Sequence, residues 1–271
     1  MMENNGFASQ YIAAMLIEWR AYLTYRLELM VAIIRRLLSP IGSIVLWSVI
    51  YAATGTHTLN GFPQSAIYIY FLAMSAVTAS VLNVNIGFDM QSDIKSGDIA
   101  GKLVKPFSYP WLAFAVTLAD SMFDFLILTV PIMIVASVAI GYHINPAFIG
   151  MFMLTMLLGF IISSLIFFTA GCLSAYLINI WGILSILQWG FAILGGRMIP
   201  LTVFPPAMQT IIQALPFYLV YYLPVATITG IATPAFIGAA MVEAVEWIIA
   251  LSVIAYAAWG LSKNKIMAAG G

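Results

Sequence analysis

Two pairs of carboxylates stand where an apolar chain has little use for them. Asp120 and Asp124 are four residues apart, one turn of a helix, and Glu243 and Glu246 are three apart. A carboxylate at bilayer depth costs on the order of 3 kcal/mol, so such groups face a cavity, a partner or the interface. The chemistry open to them is proton relay, charge pairing or the lining of a polar path. Arg197 is the one basic residue placed to pair with Glu243 or Glu246, either as a structural bridge or as a gate. A third group is denser and of mixed sign: Asp93, Lys95, Asp98, Lys102 and Lys105, with Gly97 and Gly101 among them. Asp98 and Lys102 have the i,i+4 spacing that supports a helix.

Metal and covalent chemistry find no residues here. His57 and His143 are isolated, Cys172 is the single cysteine, and neither glutamate of the pair has a partner histidine. The expectation is no metal site and no internal disulfide. Asp120 and Asp124 share one helix and no Gly-x-Gly-Asp motif accompanies them, which argues against an intramembrane aspartyl protease. No G-x-x-x-x-G-K-[ST] loop occurs, so no nucleotide is expected on this chain through the usual Gly-rich turn. The chain reads as a non-enzyme.

The elements that must position these groups follow from composition. The chain is 63% hydrophobic and 7% charged, against roughly 25% charged in a soluble domain. Several apolar runs reach the ~20 residues that cross a bilayer as a helix. The fold class is an all-α polytopic membrane protein, in a single membrane domain over 31–261. Zero net charge argues against nucleic acid. The first thirty residues lack the apolar core and cleavage site of a cleavable signal.

Six spans are expected, at about 31–53, 65–88, 112–140, 147–172, 180–197 and 238–261. Nine of the ten basic residues fall before the first span, between the second and third, or after the last. The positive-inside rule places all three regions in the cytoplasm, with both termini, and requires an even number of spans. Parity then reads the apolar segment 198–235 as a re-entrant hairpin on the outer side. A seventh span there would carry Lys263 and Lys265 outside. Pro200, Pro205, Pro206, Pro216, Pro224 and Pro234 would also break a continuous helix. Tyr11 to Met30 mixes aromatic, apolar and charged residues, as an interfacial helix does, and is expected to bend into the first span near Arg35 and Arg36. A short tail, 262–271, completes the cytoplasmic side.

On these boundaries Asp120 and Asp124 lie toward the cytoplasmic face, either at the interface beside Arg35 or Arg36 or lining an inward cavity. Arg197, Glu243 and Glu246 lie near the outer face. The loop 89–110 is either a solvated connection or a rigid peg. In the second case Asp93, Lys95, Asp98 and Lys102 give the docking face, and Ile94, Ile99, Leu103 and Val104 the face tied to the spans. Trp47, Trp111, Trp181 and Trp259 read as interface anchors. Gly159 and Ser163 have the small-xxx-small spacing of close helix contacts.

Two patches carry a family resemblance. Asp93-Ile94-Lys95-Ser96-Gly97-Asp98-Ile99, followed by Leu103-Val104-Lys105-Pro106, is a charged turn closed by a hydrophobic–basic–Pro run. Gly196 to Pro200 leads into Leu201, Phe204-Pro205, Leu215-Pro216-Phe217 and Tyr222-Leu223-Pro224. Together with the topology these resemble the ABC-2 class of ATP-binding-cassette permeases, in its six-span branch. The resemblance implies an exporter's membrane-spanning subunit working with a second permease, itself or a paralogue, in the lipid bilayer of the cell membrane. ATP and Mg would then sit on separate ATPase subunits, and the 89–110 loop would be the coupling helix. Arg197 and the Glu243/Glu246 pair depart from the pattern. The competing reading is a proton-coupled carrier using the four intramembrane acids, although no repeat between the halves supports it.

Overall fold

With few charges to solvate, the chain closes its backbone hydrogen bonds inside helices, as a bilayer requires. The computed structural model describes residues 7–24, 26–56, 58–59, 62–105, 108–140 and 145–269. Helices α1 (Phe7–Thr24) and α2 (Arg26–Thr54) open the chain. A minimal hairpin follows, β1 (Thr58–Leu59) antiparallel to β2 (Phe62–Pro63), with Thr58 opposite Pro63. Next come α3 (Gln64–Val81), α4 (Asn85–Ser96), α5 (Asp98–Val104) and α6 (Tyr109–Asp124). A π-helical turn, Phe125–Thr129, joins α6 to α7 (Val130–Ile140). The remainder is α8 (Ile149–Cys172), α9 (Trp181–Leu194), α10 (Pro206–Gln213), α11 (Phe217–Val220), α12 (Tyr222–Ile228) and α13 (Pro234–Ala269).

Among the described residues four stretches are long and apolar enough to cross a membrane: Ala66–Ser96, Tyr109–Ile134, Pro146–Ala175 and Pro234–Ala268. They coincide with the second, third, fourth and sixth expected spans. The first and fifth expected spans correspond to shorter apolar helices, Pro40–Thr54 and Trp181–Leu194. At ~1.5 Å per residue, the 14 residues of α9 reach only ~21 Å. The fold is an all-α polytopic membrane fold, and α2 covers the first expected span at 31–53.

Helix α8 is the axis: 72% of its apolar window is buried, against 22% for α13. Small residues make this possible. A Cβ on Gly159 would sit 3.0 Å from the Val220 carbonyl and 3.1 Å from Val81, so only glycine lets α8 approach both α3 and α11 this closely. Ser163, one turn on, is fully buried and donates to the Val81 carbonyl.

Several expectations are corrected. Helix α2 runs unbroken through Arg35 and Arg36, from Arg26 to Thr54. The second span is not one helix but is interrupted at Leu82–Val84, and the third carries the π turn. Trp47 is no interface anchor: it is 5% exposed and packs on Phe71. Residues 262–269 of the expected tail continue α13 as helix. Helix α1 has a partner within the chain, since Trp19 donates its indole N–H to the Ala119 carbonyl at 2.8 Å and meets Phe123 edge-on.

The proline-rich stretch breaks where its prolines stand. Pro206 begins α10, Pro216 caps α11 and Pro234 begins α13, all positions where the missing N–H costs nothing. Leu219, Val220, Tyr221, Leu223, Val225 and Ala226 are each 0% exposed, so this broken segment belongs to the core.

Candidate functional site

The charged segment folds into an elbow. Helix α4 ends at Ser96, Gly97 takes the left-handed conformation (φ 81°), and α5 starts at Asp98. A left-handed residue favours glycine because it has no Cβ to clash. Asp98 sits at the N-terminus of α5, where a negative charge complements the helix dipole. Its carboxylate accepts from Ser96 Oγ at 2.7 Å, and its N–H donates to the same hydroxyl at 3.3 Å. Lys102 reaches back across the turn to Asp93 rather than down its own helix to Asp98. Its Nζ donates to both Asp93 oxygens, at 2.7 and 2.6 Å. Tyr109 Oη donates to Asp93 as well, at 2.8 Å. One carboxylate thus ties α4, α5 and the start of α6 together.

The elbow has two faces. Lys95, Ser96, Gly97, Asp98 and Gly101 are exposed, and Ile99 is buried. Ile94 and Leu103 are half-buried, whereas Val104, expected on the buried face, is 88% exposed. Lys105 is exposed and caps α5 with an extended backbone (φ −70°, ψ 151°). Pro106 lies outside the described residues.

Behind the elbow, α4 and α6 enclose a cleft of about 420 Å³. Its lining includes Asp89, Asp93, Lys102, Tyr109 and Asp120. Asp120 therefore faces the same space as the elbow's ion pair. Asp124 is the last residue of α6 and is half-buried, outside that lining. The side chains of Arg35 and Arg36, their suggested partners, lie outside the described residues.

Tyr109 also connects sideways. Its ring stacks on Trp259 of α13 (5.2 Å, 12°), and Trp259 in turn packs on Phe168 of α8. Ser262 Oγ donates to the Cys172 carbonyl at 2.8 Å, closing the ends of α13 and α8 on each other. Cys172 is a buried free thiol.

At the far end of the bundle the expected charge pairing does not form. Among the described residues no ion pair joins Arg197 to Glu243 or Glu246. Glu243 instead accepts from Tyr218 Oη at 2.6 Å, because α11 packs between the turn after α9 and the last helix. Glu246 is exposed, and Arg197 is half-buried beside a Gly195-Gly196 turn. That turn is tight. Gly196 is left-handed (φ 83°), its carbonyl accepts from Tyr70 Oη at 2.6 Å, and a Cβ there would meet that hydroxyl at 2.8 Å. The four acids do not gather in one place: Asp120 lies at the elbow end and Glu243 at the far end. Among the described residues no cluster of three or more histidines, cysteines or acids could hold a metal. His57 and His143 lie outside them.

Sequence reasoning missed Tyr109, Trp259, Tyr218 and Asn83 as organising residues. Only Asn83 had a signal, an amide inside an apolar run.

The fold and its polar elbow define a multi-pass membrane protein that presents a rigid, charged projection at one end. The chain matches the family described as ABC-2 family transporter protein over residues 37–270, and it belongs to that family. It is accordingly a membrane permease component of an ABC-type transporter, and membership implies partnership with an ABC ATPase and with the membrane bilayer. No curated protein matches the chain.

Proposed function

We propose that this chain is the membrane-spanning subunit of an ATP-driven exporter, forming the path with a second permease chain and driven by separate ATPase subunits. The observation that carries the reading is the elbow. A part that transmits force needs internal stiffness, an outward polar face and firm attachment to the spans. The Asp93–Lys102–Tyr109 bonds supply the first, Lys95 and Asp98 the second, and buried Ile99 with the Tyr109–Trp259 stack the third. In this reading ATP and Mg sit on the partner, and Lys95, Gly97, Asp98 and Lys105 face it. Both termini and the elbow are cytoplasmic. Helices α2 and α9 complete six spans, and Pro200–Pro234 forms the outer re-entrant hairpin. Asp120 lines the inward cleft, and Arg197, Glu243 and Glu246 mark the outer side.

The test is gentle purification from the native membrane with identification of what accompanies the chain. An ABC ATPase, with or without a second permease, is the expected result. A chain recovered alone would move the reading to a proton-coupled carrier. Orientation is tested separately by a Thr210→Cys variant, exposed on α10, which should react with an impermeant thiol reagent from outside the cell.

A further inference from the structure

We propose that the second span contains a hinge latched by Asn83, about which the elbow and its supporting helix ends move as one body. The span is interrupted at Leu82–Val84, where Leu82 is extended (φ −84°, ψ 100°) between α3 and α4. An interruption inside an apolar span frees backbone groups that only protein can satisfy. Here side chains do it. The Val81 carbonyl, which a continuous helix would give to Asn85, accepts from Ser163 Oγ. The Asn83 amide nitrogen lies 3.3 Å from the Phe160 carbonyl, 3.0 Å from Ser163 Oγ and 2.9 Å from Ser164 Oγ. Its carbonyl accepts from Ser121 Oγ of α6 at 2.9 Å. One 6% exposed side chain therefore ties the break to both neighbouring spans.

The neighbouring span is irregular at an adjoining level. The π turn Phe125–Thr129 begins four residues after Ser121, and Thr129 Oγ1 donates to the Ala76 carbonyl at 2.8 Å and lies 2.8 Å from Ser80 Oγ. π turns are rare in helices and concentrate at functional positions. Two adjacent spans thus have their irregular segments linked on both sides of the break. Toward the elbow, the Asp93–Lys102–Tyr109 bonds make α4, α5 and the start of α6 a single body. Helix α4 lies close on α8: a Cβ on Gly171 would lie 3.1 Å from Met90 Sδ and 3.2 Å from Gly87 Cα, and one on Gly87 would lie 2.9 Å from Leu184 and 3.1 Å from the Phe167 carbonyl. Lower on α4, buried Met90 packs on α8 and Gln91 Oε1 accepts from the Ile180 N–H at 2.7 Å, contacts that lie on the elbow side of the break; at the break itself the polar tie is Asn83.

A hinge held by hydrogen bonds has two arrangements separated by a small free energy, and removing the bonds raises the population of the second. The hinge stands on this geometry alone; its use in transport rests on the permease reading. The test uses the full chain in lipid nanodiscs, in a Cys172→Ala background, with spin-label pairs read by pulsed electron resonance. One pair joins Lys95→Cys on α4 to Gly150→Cys at the start of α8, and a reference pair joins Thr58→Cys to Gly150→Cys. All three positions are exposed. Asn83→Ala should broaden the Lys95–Gly150 distance distribution about twofold and leave the reference pair narrow. The double variant Ser163→Ala with Ser164→Ala, which removes two of Asn83's partners and little volume, should do the same. Unchanged widths in both variants would mean that packing alone holds the break, and would overturn the hinge. Broadening of both label pairs would mean general loosening of the bundle, and would overturn it equally. No ATPase is needed for the measurement, so the hinge and the transporter reading succeed or fail separately.

Discussion

The elbow and the proline-broken segment are both irregular stretches at the ends of spans, yet they are held by opposite means. Between α4 and α6 the chain is organised by a carboxylate, an ammonium and a phenol, with Lys95, Gly97 and Asp98 left in solvent. Between α9 and α13 it is organised by packing, with most of α11 and α12 at 0% exposure and a Gly-Gly turn pressed against Tyr70 and Tyr221. The difference is physical before it is functional. Polar bonds at an exposed site fix direction while leaving the surface free to meet another molecule. Buried apolar packing fixes position and leaves nothing to meet. Two left-handed glycines, Gly97 and Gly196, show this most sharply, since their φ angles are nearly the same (81° and 83°) and their surroundings are not.

The largest effect should come from Gly196→Ala. The left-handed backbone disfavours alanine by about 1–2 kcal/mol. The new Cβ would also stand 2.8 Å from Tyr70 Oη and 3.1 Å from Leu201, so about 3 kcal/mol in all is expected. A marked fall in thermal midpoint in detergent, with loss of protection of α11 and α12 in hydrogen exchange, is the expected outcome. A midpoint near wild type would show that the far end is not held by packing at this turn.

Next comes Asp93→Ala. It leaves Lys102 and Tyr109 without their shared acceptor, and both the lysine and the aspartate are partly solvated (35% and 15% exposed side chains). Surface ion pairs contribute little, but this carboxylate also takes a phenol, so about 1–2 kcal/mol is expected. The loss should be local: faster exchange in α5 and the start of α6, with α11 and α12 unmoved. Raising the ionic strength should weaken the wild-type elbow in the same direction and leave the far end alone. Equal sensitivity at both ends would dissolve the contrast.

Tyr218→Phe should cost about 1 kcal/mol, the usual worth of one hydrogen bond, plus the desolvation of the carboxylate it leaves behind. Glu243 is half-buried and loses the 2.6 Å donor, while the ring keeps its place in the core. Removing both groups together, Tyr218→Phe with Glu243→Gln, should recover part of the loss. A double variant as unstable as the sum of the singles would show that the two groups act independently.

Legibility in the sequence followed the same division. The elbow was readable because charge is rare in this chain and its turn carries a glycine between two short charged runs. The proline positions told where the far segment breaks, since each proline must stand at a helix start or outside one. What stayed hidden was partner choice. Lys102 could have met Asp98 or Asp93, and only the left-handed turn at Gly97 swings it to Asp93. Arg197 and Glu243 are opposite charges at one end of the bundle, yet Glu243 takes its hydrogen bond from Tyr218, a choice no spacing rule states. The broken second span was hidden because Ser80, Asn83, Ser121, Thr129 and Ser163 come from three separate spans, and the one signal, the Asn83 amide in an apolar run, does not name its partners.

The last variant, and the sharpest test of geometry, is Gly97→Ala. The backbone term is the one that Gly196→Ala incurs, about 1–2 kcal/mol, but nothing lies within 4 Å of the new Cβ. The stability loss should therefore be the smaller of the two by about the whole steric contribution at Gly196. Its consequence for geometry runs the other way. An alanine at Gly97 disfavours the turn that brings Lys102 onto Asp93, so the elbow should straighten before the bundle unfolds. Spin labels on Lys95→Cys and Lys263→Cys, both exposed, would report this as a shifted distance with an almost unchanged midpoint. An unshifted distance would mean that the Asp93–Lys102–Tyr109 bonds outweigh the backbone preference and hold the turn by themselves. In that case stiffness would reside wholly in the ion pair, and Asp93→Ala would be the variant that releases it.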